Sequence, residues 1–419
     1  MSIRPHRPEL LAPAGDMRKL RTALAYGADA VYLAGPGLSL RAKSANFPWA
    51  ELPAALGLVR DHGARAYYCL NVLPPERDMA GVRAALERLA ALAQGQGPDA
   101  LIIADPGVLR LAKRLAPNYP VHLSTQANTA NSESLAFWRE NGVKRVNLAR
   151  ELSLRDIRAL AEAAAQTGGP ELEVFVHGAA CMAVSGRCLL SAYLNDRPAN
   201  QGLCTHACRF EYQVTGVALT ERTRPGSPVW ELHEEGEWSA LLGAQDICLI
   251  KYLSWFKNAG IAAMKIEGRM RSAPWLAQVV DVYATALKDL EQNRFRLEEY
   301  LAELRNASLR GMDSSMFLPK GRRWAVEPLE EARKRPVLAQ VLEEMAPGRY
   351  LVAVKAKWEA GKDVALLLPG MQRPVIRAGE YGLESLEGEA ADVLHSGQEG
   401  VLRAAGAQLK PVLMVLATG

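Results

Sequence analysis

The chain has 419 residues, 49% hydrophobic and 23% charged, with a formal net charge of +4. This composition excludes a disordered or low-complexity protein, and the mild charge excludes a global polycation held to nucleic acid by bulk attraction, although a local basic patch stays open. No run of about 20 apolar residues occurs and the stretch MSIRPHRPELLAPAGD lacks a signal-peptide core, so the expectation is a cytoplasmic protein with no membrane contact and reduced thiols.

Short apolar, β-rich runs begin at residue 9. They fall at 9–15, 30–35, 65–72, 100–105, 121–128, 145–150, 172–178 and 262–268. Between most of them lie helix-length segments with apolar residues three to four apart, such as GVRAALERLAALAQ and LRDIRALAEAAA. Near-continuous apolar strands alternating with amphipathic helices predict a parallel sheet covered on both faces. Eight such units predict an α/β fold, a (β/α)8 TIM-like barrel over residues 1–292. A doubly wound open sheet is the alternative, disfavoured by the count of eight and by the lack of a G-x-G-x-x-G turn.

Several strands end in glycine or a polar residue, and in a barrel those ends form the active face: Gly15, Asn71, Asp105, Gln126, Asn128, Arg150, His177, Glu267 and Arg269. Asp16 and Asp105 suit helix caps. Arg150, His177, Glu267 and Arg269 are the candidate pocket residues. Alternation along the last strand sets Lys265, Glu267 and Arg269 on one side, toward the mouth. Gln126 and Asn128 could hydrogen-bond a substrate.

One connection breaks the rhythm. Residues 179–246 form an insertion after the seventh strand, and 221–239 within it reads as a polar hairpin or lid. A loop of this length in a compact domain is usually functional or disordered. The segment 293–335 reads as an irregular, basic, wrapping linker. Residues 336–419 carry short alternating strands that predict a small β-barrel.

The insertion opens with four of the six cysteines: Cys181, Cys188, Cys204 and Cys208, spaced C-x6-C-x15-C-x3-C. Four thiolates complete a tetrahedral zinc site or hold a [4Fe–4S] cluster. Neither pair has the C-x2-C knuckle of a zinc ribbon, which favours [4Fe–4S], with zinc as the alternative. Cys69 and Cys248 lie in apolar contexts and read as core residues, Cys248 being the one other candidate ligand. The sequence has no H-E-x-x-H, G-x-S-x-G or P-loop.

The run ELEVFVHGAACMAVSGRCLLSAY resembles the signature of peptidase family U32, also called collagenase-like proteases, with Glu173, Phe175, Gly178, Cys181, Gly186, Cys188 and Ser191 in matching places. KIEGRMRS (265–272), ELLAPAGD and ADAVYLA match further family motifs, and the resemblance runs from about Glu9 to the end. It implies an oxygen-independent hydroxylase carrying a [4Fe–4S] cluster on Cys181, Cys188, Cys204 and Cys208, with prephenate as oxygen donor. The segment NQGLCTHACRFEY, the length and the C-terminal domain most resemble the branch that makes 5-hydroxyuridine at position 34 of tRNA. Where the family commonly has a Ser/Asn-Ser-Lys-Asp-Leu segment after the lid, this chain has ALLGAQDICLI. The family name implies a collagenase-like peptidase as an alternative, and a zinc-stabilised RNA-binding or assembly factor is a third reading.

Prephenate is a dicarboxylate, and arginine binds carboxylates through a two-pronged fork. Arg150, Arg269 and Arg271 sit at strand ends, and Arg187 and Arg209 flank the cysteines. For RNA, Lys320, Arg322, Arg323, Arg333, Lys334, Arg335, Lys355, Lys357 and Lys362 could supply positive charge, and Phe210, Tyr212 or Trp230 a stacking surface.

Overall fold

The computed structural model describes residues 7–39, 46–181, 183–184, 187–188, 190–195, 197, 199–209, 233–235, 238–240, 245–308, 311–319, 322–330, 334–404, 409–410 and 412–418. All eight expected strands are present: β1 (Glu9–Pro13), β2 (Ala30–Leu33), β3 (Arg65–Leu70), β4 (Ala100–Ile103), β5 (Val121–Leu123), β6 (Arg145–Asn147), β7 (Glu171–Ala179) and, after three short strands in the insertion, β11 (Ala263–Glu267). Each pairs in parallel with its neighbour, and β11 pairs in parallel with both β1 and β7, closing an eight-stranded barrel. The strands are buried along nearly their whole length, which is why their sequences read as unbroken apolar runs.

Between the strands run α1 (Met17–Ala25), α2 (Leu52–Asp61), α3 (Met79–Ala90), α4 (Pro106–Leu115), α5 (Ser132–Glu140) and α6 (Leu154–Thr167). Their starts are encoded locally. Asp16 and Asp105 accept the backbone N–H groups of Lys19 and Val108, as expected of N-caps, and Ser153 with Asp156 forms a reciprocal capping box. Helix α7 (Leu190–Asn195) lies in the insertion. Helices α8 (Leu253–Asn258) and α9 (Ala273–Glu291) flank β11, with Ser272 capping α9.

The insertion adds an antiparallel pair, β8 (His233–Glu235) and β9 (Trp238–Ala240), where a hairpin was expected. The rest of that expected lid lies outside the described residues. Strand β10 (Asp246–Cys248) then runs antiparallel along the end of β7, setting Cys248 beside His177. The segment 293–335 differs from the expected irregular linker. It contains helix α10 (Leu297–Ala307), packed on α9, and strands β12 (Met312–Asp313) and β13 (Ala325–Val326), which extend the sheet outward from β10. The apolar set Tyr300, Leu301, Leu304 and Ala307 has helical spacing and is buried; the basic residues that follow masked it.

The C-terminal region comprises β14 (Val337–Ala346), β15 (Arg349–Val354), β16 (Trp358–Glu359), β17 (Val364–Leu367), β18 (Val375–Ile376), β19 (Gly382–Glu384), β20 (Ala390–Ala391), β21 (Val393–Leu394), β22 (Glu399–Arg403) and β23 (Met414–Ala417). Eight of these strands form one antiparallel half-barrel sheet in the order β18-β17-β23-β14-β15-β22-β19-β20. It docks on the helix layer of the barrel. Tyr26, the C-cap of α1, donates to the Leu367 carbonyl at 2.8 Å. Fully buried Asp281 of α9 accepts from the Gly370 N–H at 2.7 Å and from Arg373 at 2.9 Å, and Arg373 also reaches Glu303 of α10 at 2.9 Å.

Burial pushes the Asp281 carboxyl above its ordinary pKa, and Arg373 opposes that shift. Removing one partner of a buried ion pair strands the other charge away from water. Arg373→Met is therefore expected to cost about 3 kcal/mol in urea unfolding; a loss below about 0.5 kcal/mol, the worth of an exposed pair, would show that the docking does not depend on this ion pair.

Candidate active site at the C-terminal mouth of the barrel

The lumen of this barrel is polar. Most barrel interiors are filled by layers of branched apolar side chains. Here an apolar cluster of Leu11, Ala30, Tyr32, Tyr67, Cys69 and Ile102 lines one side, and charged groups fill the other. At the N-terminal end Arg145 pairs with Glu9 and Glu171, each at 2.7 Å, and Tyr67 donates to Glu9 at 2.9 Å. Nearer the mouth, Glu173 accepts from Lys265 at 2.9 Å and from Asn147 at 2.8 Å. The Lys265 ammonium lies 4.6 Å from the Tyr32 ring centroid and 5.5 Å from that of Phe175. Charges this deep persist because each has a counter-charge and hydrogen bonds. His122, among these cations, stays neutral: burial first, then Arg145 and Lys265, push its ring down to about 2.

Sequence reasoning did not select Glu9, Asn147, Arg145 or Glu173 as site residues. The signal was present as polar residues two apart on apolar strands, in Arg145-x-Asn147, Glu171-x-Glu173 and Lys265-x-Glu267. That spacing puts each set on the lumen side.

Glu267 and Arg269 lie where expected, above Lys265. Glu267 accepts from the Tyr32 hydroxyl at 3.3 Å, and Arg269, almost fully buried, donates to Ser39 of the β2–α2 loop at 2.6 Å. Arg150 sits at the mouth with its guanidinium 4.0 Å from the Phe175 ring centroid, and it donates to the carbonyl of Ala179, the last residue of β7, at 3.4 Å. It thus touches the start of the cysteine segment. Gln126 is almost fully buried, with Oε1 3.5 Å from Ser124 Oγ and, among the described residues, no partner for Nε2. Asn128 adopts a left-handed conformation at φ 54 and donates to the Gln126 carbonyl.

His177 is not in this group. The register of β7 on β11 pairs Phe175 with Lys265 and then slips, pairing His177 with Ile266 and leaving Val176 as the extra residue of a β-bulge. A bulge interrupts the two-residue period. Glu173 and Phe175 face the lumen, but His177 turns outward to α9, with Nδ1 3.3 Å from the Tyr283 hydroxyl and its ring 5.7 Å from that of Trp275. Burial holds it neutral, with a pKa pushed down to about 4. Gly178 follows at φ 106, and a Cβ there would overlap the Glu267 carbonyl, so only glycine fits where β7 leaves the barrel. Arg271 also turns away from the mouth, into an ion pair with Asp246.

The four candidate ligands lie on the loop that follows. Cys181, Cys188, Cys204 and Cys208 form no disulfide and are partly exposed, whereas Cys69 and Cys248 are buried. Cys248 contacts Tyr283, and burial pushes its thiol up to about 11, which makes it a core residue. Thr205 ties the second cysteine pair to the helix that follows the first: its N–H donates to Ser191 of α7 at 2.9 Å and its hydroxyl to Asn195 at 3.0 Å. The His206 N–H donates to Cys204 Sγ at 3.4 Å, with His206 at φ 61. Among the described residues no three His, Cys, Asp or Glu side chains converge closely enough to hold a metal ion. The donor set still fits a thiolate-bound group in its chemistry: four thiols outside any disulfide, one of them accepting a backbone N–H, on one lobe pinned by its own hydrogen bonds.

Of the basic residues considered for RNA, Lys320 and Arg333 lie outside the described residues, as do Phe210, Tyr212 and Trp230. Arg322 and Arg323 are exposed. Arg335 pairs with Glu303, and Lys357 and Lys362 share Glu359. Among the described residues no helix is long and apolar enough to cross a membrane.

Residues 15–324 match the family model described as peptidase family U32. The chain is 33% identical over 401 residues to tRNA hydroxylation protein P of Escherichia coli (strain K12), covering 87% of this chain and 86% of that protein. It is 37% identical over 312 residues to tRNA hydroxylation protein P of Helicobacter pylori (strain J99), covering 74% and 71%. It is also 32% identical over 288 residues to a protein named collagenase from Porphyromonas gingivalis, covering 67% and 65%.

The depressed pKa of His177 gives a pH test of its outward placement. The unfolded chain binds a proton near pH 6.5 that the folded chain refuses until about pH 4, so the folded state is fully favoured above the higher value and loses stability as pH falls between the two. The shift corresponds to roughly 3 kcal/mol. Urea unfolding at pH 7 and pH 4.5 should show a clearly smaller pH-dependent loss for His177→Gln than for wild type. Equal losses would place the imidazole in contact with water.

Proposed function

The chain belongs to peptidase family U32, and from that premise we propose that it is a tRNA hydroxylase, converting uridine 34 to 5-hydroxyuridine without O2, with a [4Fe–4S] cluster and with prephenate as oxygen donor. The observation that carries the reading is the lobe with four cysteines, none in a disulfide, leaving β7 at the mouth of a polar (β/α)8 lumen. The names of the relatives that span most of the chain point the same way.

Cys181, Cys188, Cys204 and Cys208 would hold the cluster. When bound, it would supply electron transfer beside the barrel mouth. The protein's own residues do the positioning. Arg150 is the cation at the start of the cysteine lobe and binds a carboxylate of the oxygen donor. Lys265 is committed to Glu173 and keeps the lumen wall rigid. Arg269 fixes the β2–α2 loop through Ser39. Glu267, held by the Tyr32 hydroxyl, is the carboxylate at the upper end of the lumen placed to hold or accept a proton.

The peptidase reading has less support here. A cysteine peptidase needs a thiolate activated by a neighbouring base. Cys248 is buried with its thiol pKa raised, its polar contact is a tyrosine, and His177 packs between aromatic rings on the outside of the barrel. The zinc alternative is decided by metal content.

Anaerobically purified protein is expected to contain iron and sulfide, with each single Cys→Ser change at the four positions removing most of both. Zinc in place of iron, or retention of iron in all four variants, would refute the ligand assignment. Mass spectrometry of tRNA nucleosides from a strain lacking the gene should show loss of 5-hydroxyuridine and its derivatives, restored by wild type but not by Cys204→Ser. Arg150→Leu should raise the KM for prephenate at least about tenfold with cluster content unchanged; an unchanged KM would remove Arg150 from the donor site.

A further inference from the structure

Beside the mouth lies a cavity of about 650 Å3 that the reading above leaves unused. Its walls come from three elements: Trp49 from the β2–α2 connection, Arg77, Asp78 and Arg88 from the β3–α3 connection and α3, and Gln201 and Leu203 from the cysteine lobe. The first two connections leave the C-terminal ends of β2 and β3, so the cavity is on the active face. The lobe leaves β7, yet Gln201 and Leu203 reach the β2 and β3 side. The segment running directly into Cys204 is therefore one wall of the cavity.

We propose that this cavity is a subsite for an unpaired nucleotide of the RNA, adjacent in the strand to the base being modified. The inference rests on the tRNA reading above. One wall is a stack: the Trp49 ring lies 5.9 Å from that of Tyr68 at 29°, and the Arg88 guanidinium lies 5.3 Å from the Trp49 ring centroid. An unpaired base can lie on that guanidinium plane or, with Arg88 swung aside, on the indole, and both are surfaces used to read single-stranded RNA. Arg77 and Arg88 are exposed and make no ion pair with any described residue, so both are available to a phosphate. Asp78 between them selects the ligand class. A carboxylate in the wall repels a dicarboxylate but accepts a hydrogen bond from the N–H edge of a base. The volume falls within the range of about 300–1,000 Å3 usual for pockets that enclose a small ligand group. A nucleotide held here would set its neighbour beside the lobe that carries Cys204.

The test uses full-length, cluster-loaded protein and a fluorescein-labelled, unmodified tRNA transcript, read by anisotropy across a salt series. Arg77→Ala and Arg88→Ala should each weaken binding and lower the salt slope by about one. Trp49→Ala should weaken it about tenfold, while Trp49→Phe, which keeps an aromatic face, stays near wild type. Iron content and circular dichroism should match wild type for the two arginine variants, whose side chains are exposed. Wild-type affinity and slope in both arginine variants would overturn the proposal. So would unchanged RNA affinity with a raised KM for prephenate, which would make the cavity the oxygen-donor pocket. If wild-type protein neither binds nor hydroxylates tRNA, the functional reading fails and the subsite with it; if wild type does both and the variants are indistinguishable from it, the subsite alone fails.

Discussion

The seam between β7 and β11 is the constraint on which the rest of the molecule depends. It closes the barrel, and it is where the cysteine lobe departs. Two strands in parallel register would carry their side-chain alternation straight to the rim. The extra residue at Val176 interrupts that alternation, and Gly178 lets β7 pass against the Glu267 carbonyl, where any side chain would collide. His177 is thereby moved to the helix layer, and the chain emerges over the mouth with Arg150 bonded to its last strand residue.

Inside the barrel the same seam holds the central ion pair. Glu173 stands on β7 and Lys265 on β11, with Asn147 from β6 as a further donor. Burying these groups costs desolvation that an apolar filling would avoid, so their presence marks a lumen shaped for something other than stability alone. Below them Glu9 is paired by Arg145 and Arg65, and Arg145 also reaches Glu171 at the exposed start of β7; above them Glu267 and Arg269 are held by Tyr32 and Ser39. The lumen is thus a graded column of paired charges, with Arg150 at its open end, bonded to the last residue of β7, from which the cysteine lobe departs.

Much of this was legible in the residue order. The eight strands were readable because strands buried on both faces must be apolar throughout, and the helices because one face of each must be. The caps at Asp16 and Asp105 followed from chemistry within three residues of each. Helix α10 was missed because a basic, turn-rich segment follows it directly. His177 was misplaced because a bulge is a property of two strands together, and a one-residue slip leaves no mark in either strand alone. The buried charges were visible as polar residues two apart, but their partners lie up to 235 residues away in the chain.

By itself, the sequence determined the barrel, the exit point of the insertion and the set of four thiols, since all three depend on residue type and local spacing. Only the tertiary structure decided which charges meet across the lumen, which way His177 points, and that Gln201 and Leu203 wall a cavity with Trp49 and Arg88. Those facts depend on how a closed sheet brings distant strand ends together, and local periodicity carries no information about closure.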